Sequence, residues 1–142
     1  MNWKLIFQLS LFGLFMGIAT VYFIPSNIEP FCWLAIFLFC AYVIARTCVS
    51  ARFLHGLLLG LANCVWITAA HVLLFSQYLA HHAQESAMLA NTPLPTHPRL
   101  VMALGGPVVG LISGVIIGLL ALAAGKLMKS TTAKPKTMSQ SA

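Results

Sequence analysis

Residues 100–125 read LVMALGGPVVGLISGVIIGLLALAAG, a stretch without a charged side chain in which Gly106, Gly110, Gly114 and Gly118 recur every four residues. It is longer than the roughly 20 apolar residues that cross a hydrocarbon core about 30 Å thick. A run this apolar on every side has no face to turn to water, so it reads as a membrane-spanning helix. Lipid tails give helices no hydrophobic reason to associate, so close backbone approach through small residues must hold them together. Four residues advance a helix by about 400°. The stripe therefore drifts around the helix, and a neighbour following it crosses with right-handed geometry. Ala121 and Gly125 continue this glycine zipper, while Gly13-x-x-x-Gly17 and Gly56-x-x-x-Gly60, continued by Cys64, offer matching surfaces. The stripe's partner is either a helix of the same chain or a second membrane protein, including another copy; spacing alone leaves both open.

The remainder of the chain has the same character. Of its 142 residues, 60% are hydrophobic and 7% charged, against about a quarter charged in soluble domains. The fold class is all-α: a polytopic membrane protein with a four-transmembrane-helix bundle spanning residues 1–129. Helix 1 is predicted over residues 5–24, with Pro25, Ser26 and Asn27 ending it. The first run has no A-x-A cleavage site and carries bulky Tyr22 and Phe23 near its end, so it reads as a retained helix. Helix 2 is predicted over 31–50, started by Pro30. Helix 3 is predicted over 53–90, because nothing interrupts it before Asn91, Thr92 and Pro93. Helix 4 is predicted over 99–128, with Pro107 freeing the carbonyl of Ala103 and kinking it. Helices 3 and 4 exceed a bilayer by several turns, so they are expected to project outward as a tip, with residues 91–98 as its turn and His81 and His82 exposed to solvent.

Charge sets the expected orientation. Lys4, Arg46, Arg52, Lys126, Lys129, Lys134 and Lys136 fall on one side and Arg99 on the other, seven against one. Both termini are then cytoplasmic, with residues 130–142 a Ser/Thr/Lys/Pro-rich disordered tail. Tyr22, Trp33 and Tyr78 fall near the outer interface and Trp3 near the inner one. The formal charge of +6 comes from dispersed helix anchors, so it signals topology and not nucleic acid.

Polar residues inside the apolar runs are the candidate sites. Asn63 lies about 15 Å along helix 3 from Phe53, close to the midplane. His71 stands about 60° from Thr68 and about 80° from Asn63 around the helix, so the three are expected to form one polar face. That face is either a solute path or a set of interhelical hydrogen bonds. Glu29 and Arg99, each at the outer start of a helix, are the candidate ion pair. His81 and Glu85 stand one turn apart, yet nothing around them completes a metal site, and the four cysteines have no C-x-x-C spacing. Neither cofactor nor metal is expected. There is no nucleophile–base set, so the chain reads as non-enzymatic, and both acids are expected outside the membrane, which argues against a proton-driven pump.

Residues 24–30 (IPSNIEP), Asn63 to His71, and Gly105-Gly106-Pro107 with the glycine ladder together resemble small bacterial four-helix membrane proteins of unknown function, over residues 3–129. The resemblance implies a bacterial inner-membrane location and no activity. Two functions are carried forward. The first is a small scaffold or subunit of a membrane assembly. The alternative is a small-solute transporter or channel-like oligomer using the helix 3 face and the Pro107 break. A cavity reaching Asn63 favours the second; a filled interior favours the first.

Overall fold

The computed structural model describes residues 1–92 and 96–132. Every regular element among them is an α-helix: α1 Trp3–Tyr22, α2 Glu29–Thr47, α3 Arg52–Leu73, α4 Phe75–His81, α5 Ala83–Ala90 and α6 Pro98–Thr132. Four of these, α1, α2, α3 and α6, are long and apolar enough to cross a membrane. Local chemistry explains their ends. The Asn2 side chain accepts the Leu5 N–H and caps α1, satisfying a donor the first turn leaves free. Pro30 occupies the first turn of α2, where its missing N–H costs nothing. Ala51 holds a left-handed backbone, φ 54°, immediately before α3. Asn2 meets His55 and Gly125 meets Arg52, whereas Thr20 meets His71 at the opposite end. The four long helices therefore alternate in direction.

α3 is the central helix, packed on α1 along one side and α6 along another. The α6 glycines do face α3, and the register is regular. Cβ atoms built on Gly106, Gly110, Gly114 and Gly118 would strike Thr68, Cys64, Leu57 and Phe53, while Gly56 and Gly60 press on the backbone of Gly118 and Gly114. Through Thr68, Cys64, Gly60 and Gly56, opposite Gly106, Gly110, Gly114 and Gly118, each step of four along α6 meets a step of four back along α3. α1 approaches α3 in the same way, with Gly13 against Asn63 and Gly17 against Ile67 and Ala70.

The compact apolar core occupies one half of the bundle, where Leu9, Cys40, Ala41, Ile44, Cys48, Leu59, Ile117 and Ala121 form a buried cluster. α2 contributes buried residues only from Cys40 onward. Within its first three turns, only Ile36 and Phe37 pack against that cluster, and neither is fully buried.

The projecting tip is corrected. Helix 3 does not run to residue 90; it ends at Leu73, and the chain bends again at His82, between α4 and α5. Both His71 and His82 hydrogen-bond to Thr20, although eleven residues of straight helix would hold them about 16 Å apart. The segment therefore folds over the end of the bundle as a helical cap. No proline or glycine marks either bend. Tertiary hydrogen bonds override a helix propensity worth only tenths of a kcal/mol per residue. Helix 4 extends past residue 128, and the remainder of the expected tail, 133–142, lies outside the described residues, as do 93–95 of the expected turn.

Candidate functional site

Under the cap lies a cavity of about 430 Å³. Ser26 from the α1–α2 turn, Glu29, Trp33 and Phe37 from α2, Asn63 and Ile67 from α3, and Glu85 from α5 line it, with Val109 and Ser113 of α6 opposite. It lies where the first turns of α2, which carry no buried residue, face α3 and α6, and α5 contributes Glu85 to its lining. The whole chain has two acidic residues against eight Lys and Arg. Both acids, Glu29 and Glu85, border this one cavity.

Asn63 is 3% exposed, and neither its carboxamide oxygen nor its nitrogen has a hydrogen-bond partner. Leaving such a group buried and unpaired costs about 1–3 kcal/mol. Its position is forced from behind, because Gly13 packs directly on its Cα and Oδ1.

Beside the cavity, the cap is fastened by a polar cluster. The Thr20 hydroxyl lies 2.8 Å from the Met16 carbonyl, which takes its only proton. It can then accept from His71 Nε2 at 2.9 Å, which fixes the proton of His71 on that nitrogen. Tyr78 is sandwiched between the rings of His71 and His82, with centroids 4.0 and 4.3 Å away. His82 Nε2 donates to the Thr20 carbonyl at 2.8 Å, and its Nδ1 lies 2.8 Å from Ser26 Oγ. Ser26 Oγ is in turn 3.1 Å from Glu85 Oε2. Serine has one proton to give. When it goes to Glu85, Nδ1 must carry a proton and donate to serine; when it goes to Nδ1, histidine is neutral. His82, Ser26 and Glu85 therefore form a short relay at the cavity wall. Burial, reinforced by the Glu85 and Glu29 carboxylates, raises the Tyr78 phenol above its ordinary pKa of 10.0.

The expected polar face is divided. Asn63 borders the cavity and His71 joins the cap cluster, but Thr68 faces Gly106 on α6. The 140° between Asn63 and Thr68 is enough to give them different neighbours. Pro107 borders a separate shallow groove with Thr68, not this cavity. The Glu29–Arg99 pair does not form: Glu29 Oε1 accepts from Trp33 Nε1 at 3.1 Å, and Arg99 lies over the Phe75 ring at 5.3 Å. Folding of the cap brings Phe75 to Arg99 and the other carboxylate, Glu85, back toward Glu29. His82 is 1% exposed, against the expected exposure; His81 is exposed and bonds the Gln77 carbonyl. His82, not His81, is the histidine that meets Glu85, at 3.7 Å. Among the described residues no three His, Cys, Asp or Glu side chains come together as a metal site.

Sequence reasoning missed Thr20, Ser26, Tyr78 and His82. One signal was present: spacings of seven and four place His71, Tyr78 and His82 within about 20° of one helical face. It also missed His55, whose Nδ1 donates to Ala51 at 2.8 Å while Nε2 accepts the Asn2 N–H at 3.0 Å. No protein-family model, curated protein or solved structure matches the chain, so its function has to be argued from its own residues.

Proposed function

We propose that this chain is a multi-pass membrane protein that binds a small polar solute in the cavity beneath its cap, as a carrier or solute-binding subunit and without catalysing a reaction. One observation carries the reading: the chain's two acidic side chains and the Trp33 indole border one cavity large enough for an organic molecule. Ligand sites are concave, mostly apolar and equipped with a few polar groups that fix orientation. Two carboxylates on one such wall can accept hydrogen bonds from a polar solute.

Membrane residence is supported by the outward faces of the long helices. Phe7, Phe15, Phe31, Leu38, Leu111 and Leu119 are all exposed, a distribution that suits lipid and not water. The seven-to-one distribution of Lys and Arg supports cytoplasmic termini. The cap and cavity mouth then face outward, and the resemblance to bacterial proteins suggests the inner membrane. The scaffold reading, with the glycine stripe as its joining surface, is weaker because α3 already covers that stripe.

The experiment is cysteine accessibility in a background lacking Cys32, Cys40, Cys48 and Cys64. Ser113→Cys, at the cavity wall, should react from the cap side with a membrane-impermeant thiol reagent much faster than Leu111→Cys on the exposed apolar face. Equal, slow labelling of both would close the cavity to water and end the proposal. A reporter fused after Ser130 should report a cytoplasmic location.

A further inference from the structure

We infer that the solute is an organic cation, a primary ammonium or guanidinium on an apolar or aromatic body. This rests on the solute-binding reading above and names the class of molecule that the site takes.

Charge is the first argument. A protein with formal charge +6 keeps its only two carboxylates, Glu29 and Glu85, on one cavity. Among the described residues, no Lys or Arg lines it. The Trp33 indole N–H orients Glu29 while leaving lone pairs for a ligand. An ionised carboxylate offers about four acceptor sites, so neither is saturated by one donor. In the state where Ser26 gives its proton to His82, no histidine charge offsets Glu85.

Hydrogen-bond chemistry is the second argument. Two carboxylates offer acceptors to the N–H groups of a primary ammonium or a guanidinium, and a quaternary group has no N–H to give them.

The walls supply the remaining part of the argument. The Trp33 and Phe37 rings stand 5.7 Å apart, tilted by 49°, and aromatic faces attract cations, tryptophan most strongly. With Pro30, Ile67 and Val109 they give an apolar lining. A cavity of about 430 Å³ is far too large for a bare metal ion and lies within the range of small-molecule sites.

The test uses the full chain in phosphatidylcholine nanodiscs, with empty nanodiscs as the partition control. Equilibrium dialysis compares three probes of one shape: 1-naphthylmethylammonium, 1-naphthylmethanol and 1-naphthylacetate. The ammonium should bind saturably and at least about tenfold more tightly than the alcohol, and the carboxylate should not bind. Glu29→Gln and Glu85→Gln should each weaken the ammonium about tenfold while leaving the alcohol unchanged. That unchanged binding shows that the variants are folded.

Equal binding of ammonium and alcohol overturns the cationic class while leaving the solute site intact. So does ammonium binding that ignores both glutamates. Binding of none of the probes, with Ser113→Cys still water-accessible, overturns this inference alone. Binding of none together with an inaccessible Ser113→Cys removes the solute-binding reading itself.

Discussion

Adding a single methyl group at Gly114 tests whether the α3–α6 seam holds the bundle together. A Cβ there would sit 2.5 Å from the Leu57 carbonyl oxygen, whereas ordinary contact begins near 3.4 Å. Most of that shortfall must be met by moving backbone, because the obstructing atoms belong to the main chain of α3. A gap of 0.5–1 Å forfeits a quarter to a half of each dispersion contact, and a contact is worth about 0.1–0.2 kcal/mol. With on the order of 40 atom pairs along the seam, Gly114→Ala should cost about 1.5–3 kcal/mol, in line with measured overpacking penalties of about 1–3. Gly105→Ala is the matched control. It lies on the same helix, and its Cβ would meet nothing within 4 Å. Both substitutions gain the same helix propensity, about 0.5–1 kcal/mol, so their difference isolates the seam. Reversible unfolding in dodecylmaltoside/SDS mixed micelles, followed by circular dichroism, gives that difference. A gap below about 0.5 kcal/mol, well under the overpacking range, would refute the close approach of α3 and α6.

Further outcomes follow from the cavity, the cap and the N-terminus. Asn63→Ala removes two unpartnered buried atoms, a relief of about 1–3 kcal/mol, against about 1 kcal/mol of lost contact. The variant should be at least as stable as the parent; a loss of 1 kcal/mol or more would mean that the amide has a protein partner. Tyr78 keeps its proton to higher pH in the folded protein than in the unfolded chain. The stability it contributes is complete below about pH 10 and falls as pH rises through its raised folded value. Tyr78→Phe should flatten the alkaline limb of the stability–pH curve, and an unchanged limb would contradict the burial of the phenol. His55→Ala breaks the hydrogen bond that fastens the Asn2 N–H to α3 and the local one from its ring to the Ala51 carbonyl. It should cost about 1–3 kcal/mol and speed amide exchange at residues 2–6; unaltered exchange there would show that the tether is not needed.

Much of the architecture was legible because it is written in local pattern. The predicted runs over 5–24 and 31–50 became α1 Trp3–Tyr22 and α2 Glu29–Thr47, displaced by two or three residues at each end. Such shifts are expected where capping, not composition, sets the end of a helix. The glycine stripe was legible for the same reason: a repeat of four on a helix fixes a face before any neighbour is known. The sequence by itself determined four long apolar helices, a stripe that demands close packing, and a charge asymmetry between their ends.

What only the tertiary structure decided is which faces meet and where the chain turns without a turn residue. The bends at Leu74 and His82 carry no proline or glycine; they form because Thr20, more than fifty residues upstream, binds both His71 and His82. That folding-back carries Glu85 to Ser26 and places both carboxylates on one cavity, a meeting of residues 56 positions apart that no local spacing encodes. It also leaves Arg99 over Phe75 instead of beside Glu29. The fate of Asn63 depended on the same three-dimensional choice. Its depth in α3 was readable by counting residues, but whether its amide met a helix or a cavity depended on how the start of α2 lies against α3 and α6. Side-chain chemistry along the chain names the groups that need partners; only the packing of helices distant in sequence decides which of them are left without one.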